Sequence, residues 1–279
     1  MTRYYGAVAA LLLLDAALRE WRPLKKRMPH NAVYLALGYG PLLLLPFMGA
    51  KAVTALGAAV AAGGLFSFAS MVGLSLYPRF FVPTLLAAAS LFGLALAGKP
   101  ALVQALPVVA TTAVLVPAIW KDESAAFLQK LCLSWVGVLV YGYLWSHAAL
   151  FESSATLPPL GDGPRWIAWV LAAAKMGDVA WVAAQKVSRR GELQLPASAA
   201  GAALGMWAVG ELIPLGLPAW QRVAFGAAVG LSLAAGSRAH DLIYRDVAEK
   251  DQSRELKGTM LFGFAFSLAV GFHLLQAWK

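Results

Sequence analysis

Residues with the means to do chemistry gather in one stretch of this 279-residue chain: Asp241, Arg245, Asp246, Lys250 and Asp251 all fall within 236–251, the most charged segment of an otherwise apolar sequence. Carboxylates can hold a hard cation such as Mg²⁺, and Lys or Arg can neutralise phosphate oxygens. A segment with both therefore suits phosphoryl or nucleotidyl transfer, which is catalysed mainly by positioning and by cations. A second pair, Lys175 and Asp178, sits inside an apolar run. Ionisable residues within a span are costly enough that they usually face the bundle interior and act on something. At i and i+3 these two share one helix face and can pair. Both groups also have a structural account. Asp241 with Arg245 and Asp246 with Lys250 are acid-first i,i+4 pairs of the kind that decorate a solvated helix, and Lys175 with Asp178 would serve as a neutralising pair that fixes helix packing.

The elements that must position these residues are membrane spans. The chain is 60% hydrophobic and 13% charged, with a mean hydropathy of +0.66, whereas soluble domains are about a quarter charged. Runs of roughly 20 apolar residues, enough to cross about 30 Å of hydrocarbon, occur near 4–18, 32–49, 52–74, 80–98, 101–119, 126–151, 165–186, 195–213, 218–236 and 259–277. The expected fold is all-α, a polytopic integral membrane protein of about nine to ten transmembrane helices. The uncertain span is 4–18, which is short and carries Asp15; it reads as a spanning or an interfacial helix. Basic clusters at Arg19–Arg27, at Lys186, Arg189 and Arg190, and at 238–257 fall on one side, and the acidic, Pro/Gly-rich 152–164 falls on the other. By the positive-inside rule the basic loops are cytoplasmic. The net charge of +9 is then charge facing anionic lipid rather than a nucleic-acid surface. Cys132 stands alone in an apolar run, which excludes an intrachain disulfide and a cysteine zinc site.

The spacing of 236–251 resembles the C-terminal signature of the phosphatidate cytidylyltransferases (CDP-diacylglycerol synthases), roughly G-D-x-x-x-S-x-x-K-R-D-x-G-x-K-D. Gly236, Arg245, Asp246, Lys250 and Asp251 fall on it without a gap. Ser237 stands where that family has its first Asp, Asp241 where it has Ser and Tyr244 where it has Lys. Of the following L-P-G-H-G-G-x-x-D-R-x-D-S tail only Gly258 survives, with Phe264 in the D-R-x-D region. Lys175 and Asp178 are similar to a K-x-x-D-x-x-A-Y motif, with Trp181 one place off. The segment 197–205 lies where the family has S-P-x-K-T-x-E-G; Ser198 and Gly205 remain, and Gly201 takes the lysine position. Two weaker likenesses are 24–27 leading to 65–74, where Ser67 replaces a Glu, and 141–152 around His147, which reads as a structural or interfacial histidine.

This resemblance, over roughly 24–273, implies a membrane enzyme of phospholipid biosynthesis that transfers CMP from CTP to phosphatidate, giving CDP-diacylglycerol and pyrophosphate. It implies catalytic roles for Lys175, Asp178, Arg245 and Lys250, substrate binding by Ser198, Arg245 and Lys250, and Mg²⁺ on Asp178, Asp246 and Asp251. The chain is then one membrane-embedded domain: an extra N-terminal helix over 1–23, scaffold spans over 24–164 and a cytidylyltransferase-like core over 165–279. Its partners are CTP, phosphatidate or a related lipid phosphate, and membrane lipids, with a homodimer left open; its place is the cell membrane. The substituted motif positions support an alternative, a catalytically silent relative that binds lipid or a partner subunit.

Overall fold

A chain this apolar must satisfy its backbone polar groups within each segment if it enters lipid, and the helix does so without a partner. The computed structural model describes residues 2–20, 39–105, 109, 127–153, 163–187, 193–212, 216–247 and 252–278; among them the regular structure is all helical. Helix α1 covers Thr2–Glu20, α2 Ala50–Met71, α3 Pro78–Leu96, α4 Phe127–Gly137, α5 Trp145–Ser153, α6 Gly163–Val187, α7 Gln194–Leu212, α8 Ala219–Val247 and α9 Gln252–Ala277. A π-helical segment, Val138–Leu144, joins α4 to α5 without a break in the chain of helix. Among the described residues four helices are long and apolar enough to cross a bilayer: Lys51–Met71, Pro78–Leu96, Phe127–Phe151 and Arg165–Gln185. They match four of the expected spans. Most of the span expected at 101–119 lies outside the described residues, as does 32–38. The described part of the 32–49 run is helical over 39–44 and then tightens into a 3-10 turn at Leu45–Phe47, where Pro46 offers no N–H to continue an α-helix.

Helices α6 to α9 pack on one another, and small residues let them do so closely. A Cβ added to Gly230 of α8 would meet the Ser198 carbonyl of α7, one on Gly226 the Ala202 carbonyl, and one on Gly201 the Ala180 side chain of α6. These are small-xxx-small contacts: Gly201 and Gly205 meet α6, and Gly226 and Gly230 meet α7. Hydroxyls fix its register: Ser198 Oγ donates to the Gly230 carbonyl at 2.9 Å, and Ser267 Oγ of α9 lies 3.2 Å from the Val229 carbonyl of α8. The N-terminal half packs α2, α3 and the π segment around Phe68 and Tyr141, whose rings lie 5.9 Å apart and meet Phe262 of α9 at 5.9 and 5.6 Å. Large apolar side chains such as Leu13, Leu86, Leu128, Leu204 and Trp220 are exposed on the outside, where a bilayer would cover them.

α1 lies against α6, where the Tyr4 and Trp169 rings meet at 5.7 Å, and two reciprocal tyrosine bonds tie it to the segment 39–44. The Tyr4 hydroxyl donates to the Leu42 carbonyl at 2.8 Å, and the Tyr39 hydroxyl donates to the Leu11 carbonyl at 3.0 Å. The segment 39–44 thereby ties α1 into the bundle and sets the depth of its last two turns.

Candidate functional site: a buried ring of four charges

Helix α1 has no charge between Tyr4 and Leu14, then places Asp15 and Arg19 one turn apart on a single face. That face meets α6 at Lys175 and Asp178, which are themselves one turn apart. The result, among the described residues, is a ring of alternating charge. Arg19 Nε lies 2.6 Å from Asp15 Oδ1 and Arg19 Nη2 2.7 Å from Asp178 Oδ2; Lys175 Nζ lies 2.9 Å from Asp15 Oδ2 and 2.7 Å from Asp178 Oδ2. Asp15, Lys175 and Arg19 are 0, 0 and 1% exposed, while the Asp178 side chain keeps 17% of its surface. The Tyr39 ring stands 5.0 Å from the Lys175 ammonium, centroid to nitrogen, within reach of a cation–π attraction.

Among the described residues two cations and two anions meet here, and this balance of charge favours their burial. A lone ion taken out of water costs several kcal/mol even after relaxation, and only good geometry to an opposite charge offsets it. Each member here contacts two of opposite sign. What such an arrangement does chemically depends on whether it opens: closed, it is a polar weld between α1 and α6; opened at Asp178, its most accessible member, it exposes two cations to an anion.

Lys175 and Asp178 face the interior, as expected, and are brought together. Among the described residues their charged partners are Asp15 and Arg19 of α1. Ser198 is buried with its hydroxyl committed to Gly230, so its geometry is that of a helix-pairing residue. Asp241 is half-buried in α8. Arg245 and Asp246 fall on the last turn of α8, and Lys250 and Asp251 lie outside the described residues. Beyond the expected span, His240 is buried against Tyr244 and Phe262, with ring centroids 6.2 and 5.0 Å away, and burial pushes its pKa down to about 4.

Of the carboxylates that the resemblance implies for Mg²⁺, Asp178 has its Oδ2 on both Arg19 and Lys175, while Asp251 and the Asp246 side chain lie outside what the structure describes; among the described residues no group of three or more His, Cys, Asp or Glu side chains converges. Sequence reasoning missed Asp15, Arg19 and Tyr39 as members of this site. A signal was there, since an acid-first i,i+4 pair in an apolar helix has the same cost as Lys175 and Asp178.

Comparisons with protein-family models, with curated proteins and with solved structures find no match to this chain. Fold and site together define its class: a protein helical throughout its described regular structure, with several helices apolar enough to cross a membrane and, among the described residues, a charge-balanced ring between α1 and one of them, α6.

Proposed function

We propose that this chain is a multi-pass protein of the cell membrane, with nine to ten spans and cytoplasmic basic loops, that acts as a phosphatidate cytidylyltransferase in phospholipid biosynthesis. The observation that carries this reading is the Lys175–Asp178 pair. It lies in the bundle interior on α6, a helix packed against the two that bear the other motif-like segments, and Gly177 between the pair abuts Gly230, six residues before Gly236. In the reaction a phosphate oxygen of phosphatidate, or of a related lipid phosphate, attacks the α-phosphorus of CTP. One P–O bond forms there as the bond to pyrophosphate breaks. Negative charge grows on the departing oxygen, and cations placed there lower the barrier; Lys175, Arg245 and Lys250 are the candidates on this chain, with Asp246 and Asp251 as the remaining carboxylates of the motif.

The test is the purified protein in phosphatidate-containing micelles with radiolabelled CTP, with and without Mg²⁺, scored for a lipid-soluble cytidine product. Product formation that falls at least tenfold in Lys175→Met supports the reading, roughly the loss of 1.4 kcal/mol or more of transition-state stabilisation. Background rates from folded protein reject it.

A second reading is favoured by the ring itself. Asp15 and Arg19 neutralise the two residues that the chemistry would use, which suits a silent relative that binds lipid or a partner subunit. Background turnover together with retained phosphatidate binding is its signature.

A further inference from the structure

The four edges of the charged ring are not alike. Three are aligned hydrogen bonds: Arg19 Nε donates to Asp15 Oδ1, Arg19 Nη2 to Asp178 Oδ2, and Lys175 Nζ to Asp178 Oδ2. On the fourth, Lys175 Nζ stands 2.9 Å from Asp15 Oδ2, yet that oxygen, fully buried, takes no hydrogen bond. A buried polar atom without a hydrogen bond is a costly exception in a folded protein and asks for a reason. Asp15 fits its place by charge and not by hydrogen-bond geometry.

That carboxylate bridges two cations, with one oxygen toward each. A phosphate can make the same bridge, because a guanidinium fork matches carboxylate and phosphate alike and an ammonium binds phosphate as a point charge. A phosphate monoester spreads its terminal oxygens around a tetrahedral centre, so one can turn onto Lys175 while another stays on Arg19. Without Asp15 the described members of the ring are two cations, Arg19 and Lys175, and one anion, Asp178, a balance that one monoester anion would restore. We propose that Asp15 is the internal occupant of a phosphate seat, resting between Arg19 and Lys175 until the phosphate monoester of a lipid takes its place. The hold on α1 suits such an exchange. Its first turns are fastened by the Tyr4 and Tyr39 hydrogen bonds, by the Tyr4 ring against Trp169 and by buried Val8. Beyond Leu12 the buried side chains of α1, among the described residues, are Asp15 and Arg19, with Ala16 and Leu18 half-buried, so the last turns are held mainly by the charges that the ligand would engage. Asp178, 17% exposed, is where the ring meets the outside. This inference rests on the lipid-phosphate substrate proposed above and adds to it the regulation of its seat by α1, a helix that precedes the stretch of family resemblance.

The experiment reads binding on the full chain in detergent, without CTP. Dioctanoyl phosphatidate, dioctanoyl phosphatidylcholine and inorganic phosphate are titrated calorimetrically against wild type and Asp15→Asn. Because a seat that is filled from within lowers apparent affinity by the fraction of time it is closed, Asp15→Asn is expected to bind phosphatidate at least about tenfold more tightly than wild type. Phosphatidylcholine should show no gain, and adding Lys175→Met to Asp15→Asn should abolish the gain. Since Asp15→Asn also weakens the fold, the exchange is read with Asp15 in place as well: Ala16→Cys on a Cys132→Ser background should react with a maleimide at least about threefold faster when phosphatidate, but not phosphatidylcholine, is present. The proposal is overturned by the absence of a gain in Asp15→Asn, by an equal gain for phosphatidylcholine, by a gain that survives Lys175→Met, by inorganic phosphate binding more tightly than phosphatidate, or by unchanged Ala16→Cys labelling. A protein that binds as expected yet makes no cytidine lipid would keep this inference and lose the enzymatic reading; one that turns over CTP without the gain would do the reverse.

Discussion

Replacing Asp15 by Asn removes one charge from the ring and leaves its shape nearly unchanged, so the variant isolates electrostatics. Asp15 contacts Arg19 at 2.6 Å and Lys175 at 2.9 Å; at an effective dielectric of about 20 each contact is worth about 6 kcal/mol of attraction. Much of this only offsets the cost of burying the ions, and breaking one partner out of a buried ion pair costs about 3–5 kcal/mol net. Lys175→Met should cost the same for the mirror reason, since it leaves an uncompensated anion. Combined, the two changes restore neutrality, keep the Arg19–Asp178 bond of 2.7 Å, and should recover most of the loss. The assay is thermal unfolding in detergent followed by tryptophan fluorescence. Each single variant is expected to lower the apparent Tm by roughly 6–10 °C, taking about 2 °C per kcal/mol for a chain of this size, and the double variant by less than either. Additive losses in the double variant would refute the idea that electroneutrality holds the ring together.

Further predictions follow from other parts of the bundle. His240 stays neutral in the folded protein down to about pH 4 because it is buried, whereas in the unfolded chain it protonates near 6.5; the stability it contributes is therefore lost as pH falls from about 6.5 toward 4, and the midpoint of acid unfolding should move to lower pH in His240→Phe. Gly201→Lys, which would restore a charge found in the resembled motif, should instead disrupt the α6–α7 contact, because its Cβ already meets Ala180 and the Met176 carbonyl; overpacking of about 1–3 kcal/mol should appear as a lowered apparent Tm, and Gly201→Ala should show a smaller fall. Single cysteines at Leu160, Arg190 and Ser253 on a Cys132→Ser background should label from opposite sides, Leu160 from outside and the other two from the cytoplasm; labelling of all three from one side would overturn the orientation.

The ring also bears on how the two functional readings separate. An enzyme that uses Lys175 on a phosphate must trade the Asp15 carboxylate for the substrate, so an active protein should gain turnover when Asp15 is neutralised even as it loses stability. A silent relative should lose stability alone. Turnover and Tm of the Asp15→Asn variant, measured on the same preparation, distinguish the two.

Hydropathy alone determined that this chain is helical and rich in segments able to cross a bilayer, because apolar runs of that length have few other ways to satisfy their backbone. The spans at 52–74, 80–98, 126–151 and 165–186 were legible within a few residues for that reason, and so was the glycine face at 201–205 and 226–230, since small residues at four-residue spacing have one main use between helices. The inward turn of Lys175 and Asp178 was legible too, because the cost of charge in lipid has one sign. What the sequence could not decide was the partner. Arg19 lies 159 positions from Asp178, and nothing local to either pair specifies that α1 docks on α6; tertiary packing decides it, with the Tyr4 ring against Trp169 of α6 and the Tyr4–Leu42 and Tyr39–Leu11 bonds tying α1 to 39–44. The same holds for His147 and His273, 126 residues apart. Each is an ordinary histidine in an apolar helix until tertiary packing brings the two Nε2 atoms within 3.2 Å, because separation along a helical chain carries no information about which ends share a layer of the bundle.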